Sequence, residues 1–541
     1  MYVTNMAPVA SNSLAPCDAP SLLRLPCELL LQTSSYLSLV DLFSLRLTCR
    51  HVETYLFDSF CKEFFAERRF MITFDSLMML INISKHKRLS GCLSYLTIGL
   101  DRFSSSDALP RFVDYWDPAS HTVHGDIPRV KDGINPQKLD ALMFEQNCLI
   151  SSGQFQLMLA EALSNLASLE QLSLRDRNIA RRTTREGSNP FFVSYGAAHV
   201  LRETGMDFTN NESHLHHQDH QFVDVVFSAV LLALGRGKTR LKSLAVDIQR
   251  GDIGLSSSAF SLPPFLLRDI QPTLSNLQSL DLSASFTQVA VGSYSSRSNG
   301  FLQWQRHQLF TFLEQTPNLV TLRVKSKKQG FFADGIIGWL ASFLNGSSDR
   351  PGSDVPDATD YYNYSECDSS FALSVPHREQ RFRKLCELEL GNMVAPLATL
   401  STTLFCLSAS LKRLKLDKVA LSVQETDHEL DNNPGSPNAW SSLFESIYVS
   451  LNLEELSVSA LEHHTGSCSK QNGRHPVAFL SSNFGIQASA ASGMLSTWSH
   501  AGSTFTMKKF LREMSAKTII ICSSCKRKNH GYWTVEESIA A

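Results

Sequence analysis

One pattern, Leu-x-x-Leu-x-(Leu/Val/Ile), occurs eight times in this chain, starting at Leu93, Leu169, Leu241, Leu277, Leu319, Leu385, Leu411 and Leu453. In an extended strand successive side chains point to opposite faces, so the second leucine and the apolar residue two positions on share one face. The residue between them takes the other. The pattern predicts eight strands, each with one face turned to a core. Middle positions such as Ser173, Asp281, Arg323, Glu389 and Lys415 are expected on the exposed side.

Helical stretches precede most of these strands, at 155–166, 223–234, 265–274, 309–315, 397–407 and 443–450. Parallel strands need a crossover, and a helix in each crossover covers the inner face of the sheet. The fold class expected is α/β: an N-terminal helical segment, then an irregular leucine-rich-repeat-like solenoid, a parallel sheet with helices on its convex side. The spacing is uneven. Leu244 to Leu280 is 36 residues and Leu280 to Leu322 is 42, against roughly 20 to 29 for a regular leucine-rich repeat. The repeats are therefore degenerate and interrupted, and an ordinary α/β domain is the competing architecture.

The stretch from Leu25 to Val52 reads LPCELLLQTSSYLSLVDLFSLRLTCRHV. Pro26 suits the first turn of a helix and Glu28 complements its positive end. Apolar residues at Leu29, Leu30, Tyr36 and Leu37, then after Ser38 and Asp41 at Leu42, Phe43, Leu45 and Leu47, predict two short amphipathic helices. In Leu25-Pro26-x-Glu28-Leu29-Leu30, Tyr36-Leu37, Asp41-Leu42 and Leu45-Arg46-Leu47-Thr48-Cys49-Arg50, the segment resembles the F-box, whose helices bind the Skp-type adaptor of cullin-RING ubiquitin ligases. Thr33 and Ser34 stand where that family usually places isoleucine and another apolar residue. The resemblance implies adaptor contacts at Leu25, Pro26, Leu29, Leu30, Leu37, Leu42, Leu45 and Val52. A bare amphipathic helix pair is the alternative. Residues 53–70 are expected to be helical and to pack back on this segment, and 71–100 resembles the stretch behind the F-box in many fungal F-box proteins.

Composition narrows the function. A net charge of −2 over 541 residues gives no general pull toward nucleic acid or an anionic membrane. The longest apolar stretch, Val223 to Leu234, contains Asp224 and is too short for a bilayer core of about 30 Å. No secretory leader is expected at residues 1–20, which read as a disordered tail. The twelve cysteines are mostly single among apolar neighbours, which suits reduced core residues in the cytosol or nucleus.

Chemical motifs are incomplete. Gly235-Arg236-Gly237-Lys238-Thr239 ends in Gly-Lys-Thr, but the first glycine of a phosphate loop would fall on Leu232. His214, His216, His217, Asp219 and His220 lie together in a polar stretch without separated anchoring ligands. Cys522 and Cys525, with His530, make half of a zinc site. No catalytic residue, metal or cofactor is assigned. Polar insertions at 101–135, 176–221, 285–300, 345–380, 424–438 and 462–504 are expected to be loops. The acidic and tyrosine-rich run from Asp349 to Asp368 stands out among them.

The expected organisation is a tail at 1–20, the F-box-like segment at 21–65, a linker helix and first strand at 66–100, the solenoid at 101–460, and a partly disordered segment at 461–541. The expected function is target recognition within a ubiquitin ligase. The partners would be a Skp-type adaptor with its cullin and an unknown target protein, held on the face carrying Ser173, Asp281, Arg323, Glu389 and Lys415. A non-ligase repeat scaffold is the alternative. The absence of a complete catalytic constellation argues against a hydrolase or metal enzyme.

Overall fold

The computed structural model describes residues 25–103, 115–117, 122–124, 135–177, 194–206, 220–249, 254–285, 308–309, 311–327, 337, 340, 382–423, 438–465, 474–480, 494–495, 497–521 and 532–533. The tail at 1–20, His214 to Asp219, the run from Asp349 to Asp368, and Cys522, Cys525 and His530 lie outside these residues. Two compact units are distinguished, the first ending at Ala66 and the second beginning at Glu67.

The first unit has three helices, α1 (Cys27–Ser35), α2 (Leu39–Thr48) and α3 (Arg50–Phe64). Pro26 is the residue just outside α1, where its extended ψ opens the helix and its carbonyl accepts from the Leu30 amide. Ser38 caps α2. Its hydroxyl oxygen accepts from the Asp41 amide and donates to the Asp41 carboxylate, both in the first turn. Leu30, Leu42, Val52, Leu56 and Phe64 form the core, with Leu37, Leu45 and Phe60 packed at its margin. Ser34 is buried in place of an apolar residue, and its hydroxyl donates to the Leu31 carbonyl at 2.7 Å. Thr33 likewise donates to Leu29. Both hydroxyls are satisfied within their own helix, which removes most of the cost of the substitution.

The second unit opens with β1 (Glu67–Phe70), α4 (Phe74–Lys85) and β2 (Tyr95–Gly99), then the small hairpin β3 (Tyr115–Asp117) and β4 (Thr122–His124). Helices α5 (Pro136–Ser151) and α6 (Gln154–Ser164) lead into β5 (Gln171–Arg175). A two-residue strand β6 (Ser194–Tyr195) and α7 (Ala197–Thr204) follow, then α8 (His220–Gly237), β7 (Ser243–Asp247), α9 (Pro264–Leu274), β8 (Ser279–Ala284) and β9 (Thr321–Ser326). The chain continues through β10 (Glu387–Pro396), α10 (Leu397–Cys406), β11 (Arg413–Val423), α11 (Ala439–Ser450) and β12 (Glu455–Ser459).

All eight expected strands are present, in chain order and in parallel register. Leu96, Leu172, Leu244, Leu280, Leu322, Leu388, Leu414 and Leu456 face one another across successive strands. Each is almost fully buried, as are the leucines three positions before them. The helices pack beside one another, α4 on α6, α6 on α8, α8 on α9 and α10 on α11, and form the layer that the leucine face buries against. The result is a leucine-rich-repeat-like solenoid of one sheet and one helix layer.

Three differences from the sequence reading have physical causes. Residues 67–70 are a strand and not the end of a helix: β1 pairs with β2, and α3 stops at Phe64. Its sequence, ERRF, hid this, because buried Arg69 replaces an apolar residue and is held by Asp101 at 2.8 Å. Gly99 makes room there, since a Cβ would lie within 3 Å of both charged groups. Second, the insertions expected as loops contain β3, β4, β6 and α7. Third, residues beyond 461 hold β13 (Glu462–Thr465), β14 (Arg474–Leu480), β15 (Met494–Leu495), β16 (Thr497–Ala501), α12 (Thr504–Lys517), β17 (Thr518–Ile521) and β18 (Tyr532–Trp533). Strand β16 runs antiparallel to β12, and α12 lies on α11, so Trp498, Phe510, Leu511 and Met514 close the end of the core.

The strands β10 and β11 are longer than the rest because each bends once. Asn392 and Lys418 have φ near +52°, and Ala460, next in register between β12 and β13, has φ +47°. Three left-handed residues thus stack across three neighbouring strands. The Asn392 amide donates to the Ser326 carbonyl on β9 at 2.7 Å, continuing the line.

Candidate functional site: an adaptor face and a charged ladder

On the first unit the apolar residues that helix packing leaves outside are Leu25, Leu29, Tyr36, Val40, Phe43, Leu47 and Tyr55. Val40, Phe43 and Leu47 follow the three-and-four spacing that puts them on one side of α2. Leu47 is 87% exposed and Val40 71%. An apolar stripe left in water on a short helix suits docking against a partner. Beside it is an open cleft lined by Phe43, Arg46, Leu47, Cys49, Arg50 and Glu53. Its wall is fixed by Arg46, which lies 3.3 Å from the Phe60 ring centre and makes a two-point ion pair with Glu53 at 2.7 and 2.8 Å.

Of the eight residues expected at the adaptor face, Leu25, Pro26 and Leu29 are exposed and Leu37 and Leu45 half-buried. Leu30, Leu42 and Val52 are not surface residues: they are 3%, 3% and 1% exposed and hold the three helices together. The expectation of exposure is corrected for these three. The exposed apolar residues of α2 are instead Val40, Phe43 and Leu47, of which the resemblance names none.

The five expected target-face residues do lie in one row. Ser173, Asp281, Arg323, Glu389 and Lys415 occupy the middle positions of β5, β8, β9, β10 and β11, with Ala245 of β7 between the first two. They are not equally exposed. Ser173 is buried at 2%, its hydroxyl 2.7 Å from that of Thr97, and Glu389 is 5% exposed. The view of this row as a uniformly exposed face is corrected at both positions.

Toward β9–β11 the row becomes an ion-pair network. Glu389 sits under Lys325 at 3.0 Å, Lys415 at 3.3 Å and Arg323 at 3.5 Å. Glu387 is held by Arg323 at 2.6 Å and Arg413 at 3.1 Å. Burial works to raise the Glu387 carboxyl, but the hydrogen bonds and charges of the two arginines outweigh it and leave it below its ordinary value. Asp281 lies at the end of this network, and burial pushes its carboxyl up to about 6 despite the charges of Lys325 and Arg323.

The phosphate-loop-like glycines stand at the wrong end of a helix. α8 runs through Gly237 and Lys238 closes it with φ +49°, so the segment offers the carbonyl end of the helix to a ligand. Gly235 and Gly237 instead let α8 approach Asp269 and Leu163. Among the described residues no group of three or more His, Cys, Asp or Glu is placed to hold a metal ion. Among the same residues no helix is long and apolar enough to cross a membrane.

The family model for the F-box domain matches residues 22–55. That span covers all of α1 and α2 and the first turns of α3, so this part of the chain is an F-box domain. No curated protein matches the sequence. Among solved structures the chain is similar to the leucine-rich repeat-containing protein LegL7 from Legionella pneumophila, at 9% identity over 75% of this chain and 91% of that one, with a TM-score of 0.23.

Proposed function

We propose that this chain is the substrate-recognition subunit of an SCF-type cullin-RING ubiquitin ligase. The F-box domain docks on the Skp-type adaptor, which connects it to the cullin, and the polar face of the sheet takes the target protein. Ubiquitin transfer belongs to other subunits, and the chain works by proximity. The observation that carries the reading is the exposed stripe of Val40, Phe43 and Leu47, with Leu25 and Leu29, on a segment that matches the F-box domain. The cytosol or nucleus is the compartment proposed, in keeping with the thiols of Cys27, Cys49, Cys92, Cys148 and Cys386.

The test is a calorimetric titration of the purified chain with a Skp-type adaptor. Val40→Glu combined with Leu47→Glu is expected to weaken binding at least tenfold without lowering the melting temperature, since both side chains already stand in water. Replacing Leu25 and Pro26 with Ala should weaken it too. An adaptor that binds parent and Val40/Leu47 variant equally well would remove the assignment of this stripe.

A further inference from the structure

In the first unit α2 and α3 are joined by a single residue. Cys49 is extended, with φ −160° and ψ 159°, and stands at the end of α2 and the start of α3 alike, where its side chain makes no capping hydrogen bond to α3. The extended region of backbone space is broad, so this junction does not by itself set the angle between the two helices. Side chains must set it. Leu42 is buried in the shared core, and the Phe43 ring meets those of Phe60 and Phe64 at 5.9 and 5.8 Å. These contacts hold the helices together, but the hydrophobic attraction behind them has no direction. The directional contact is made by Arg46. Its Nε and Nη2 donate to the two carboxylate oxygens of Glu53 on α3, and its guanidinium lies over the Phe60 ring on the same helix. The Arg46 side chain is 14% exposed. A planar fork held at its edge by a carboxylate and on its face by a ring is fixed in both place and plane. Leu47, the next residue, stands in water, so its place relative to α3 follows from that of Arg46.

We infer that Arg46 is a positioning residue for adaptor docking: clamped by Glu53 and Phe60, it sets the angle of α2 on α3 and so holds Val40, Phe43 and Leu47 in their docking arrangement in the free chain. The inference rests on the receptor reading and adds to it a group that acts through the stripe. Arg50, exposed and one turn before Glu53, is the other cation beside the cleft. It belongs to α3, so a pair between Arg50 and Glu53 would leave α2 untied. Apparent affinity scales with the fraction of chains in the competent arrangement, so a surface held ready binds more tightly than one that must first be assembled.

The test is a double-mutant cycle on the full chain, read by calorimetric titration with a Skp-type adaptor. Arg46→Met, which keeps the apolar stem over Phe60, and Glu53→Ala should each weaken binding at least fivefold. The double variant should lose no more than the worse of the two, because either change alone opens the clamp. Arg46→Lys should lose nearly as much as Arg46→Met, since a point charge replaces neither the fork nor the plane. Backbone hydrogen exchange of the free variants is followed alongside. It should quicken in α2 and stay unchanged in α1 and the second half of α3, whereas general loosening of the unit would quicken all three helices. A loss with Arg46→Met but none with Glu53→Ala would make Arg46 a direct adaptor contact and overturn the inference. Losses that multiply in the double variant, full affinity in Arg46→Lys, or exchange quickened throughout the unit would also overturn it. A parent chain that binds no adaptor would overturn the receptor reading and the inference with it, a result distinct from a parent that binds and variants that bind equally well, which would overturn the inference alone.

Discussion

At the scale of single residues, the middle positions of the ladder show how neighbours decide what a side chain does. Asp281 stands where burial raises its carboxyl to about 6. Between the ordinary value near 4 and that value the folded chain holds a proton that the unfolded chain has released, so this group's contribution to stability falls as pH rises through the interval and is flat above it. Asp281→Asn is therefore expected to be more stable than the parent by up to about 3 kcal/mol at pH 7.5. The two should converge near pH 4. Urea titrations at both pH values check this, and a constant difference would mean that the charge is not the cause. Leu280, fully buried on the other face, gives the contrast. Leu280→Asp should be strongly destabilising and Ser279→Asp nearly silent, and equal melting temperatures would reverse the inward and outward assignment. What could be read at this scale was alternation. Depth could not be read: Ser173 points to the same side as Lys415, yet its short side chain is sunk between Gln171 and Arg175 on its own strand. The F-box residues teach the same thing, since family resemblance marks positions without saying whether they serve the core, as Leu42 does, or the surface, as Leu47 does.

At the scale of elements, the eight strands were legible because each carries the same three apolar positions, and β1 was not because arginines occupy two of its four. The C-terminal strands were hidden by their shortness and by polar sequence such as EHHT in β13. Equally illegible were the left-handed bends at Asn392, Lys418 and Ala460, since lysine and alanine give no turn signal. For a residue with a Cβ that conformation costs roughly 1–2 kcal/mol. Lys418→Gly should recover up to about 1 kcal/mol of this, and Lys418→Val should lose about as much, because a β-branched residue fits that region worst. Chemical denaturation of the two variants reads the sign directly. If both lower stability equally, the Lys418 side chain matters more than its backbone. In the first unit, Ser38→Ala should cost about 1 kcal/mol by uncapping α2. Adaptor affinity should follow only as far as α2 frays.

At the scale of the molecule, a parallel ladder grows by adding strands to an edge, and a strand laid across that edge in the opposite direction ends the growth. Removing residues 497–541 should uncover β12 together with the core around Phe479, Phe444 and Trp440. The shortened chain is expected to self-associate, seen as a rise in scattering mass over the parent in size-exclusion chromatography. An unchanged mass and melting temperature would show that the closing role lies elsewhere. The antiparallel β16 also carries a historical consequence. A gene that lengthens or shortens such an array by copying a repeat cannot do so beyond β12 without first displacing β16, so gains and losses must occur in the interior, between one parallel strand and the next. Relatives of this chain should therefore differ in how many leucine ladders they hold while keeping the same reversed strand and helix after the last of them, and comparison of their aligned sequences would reveal it.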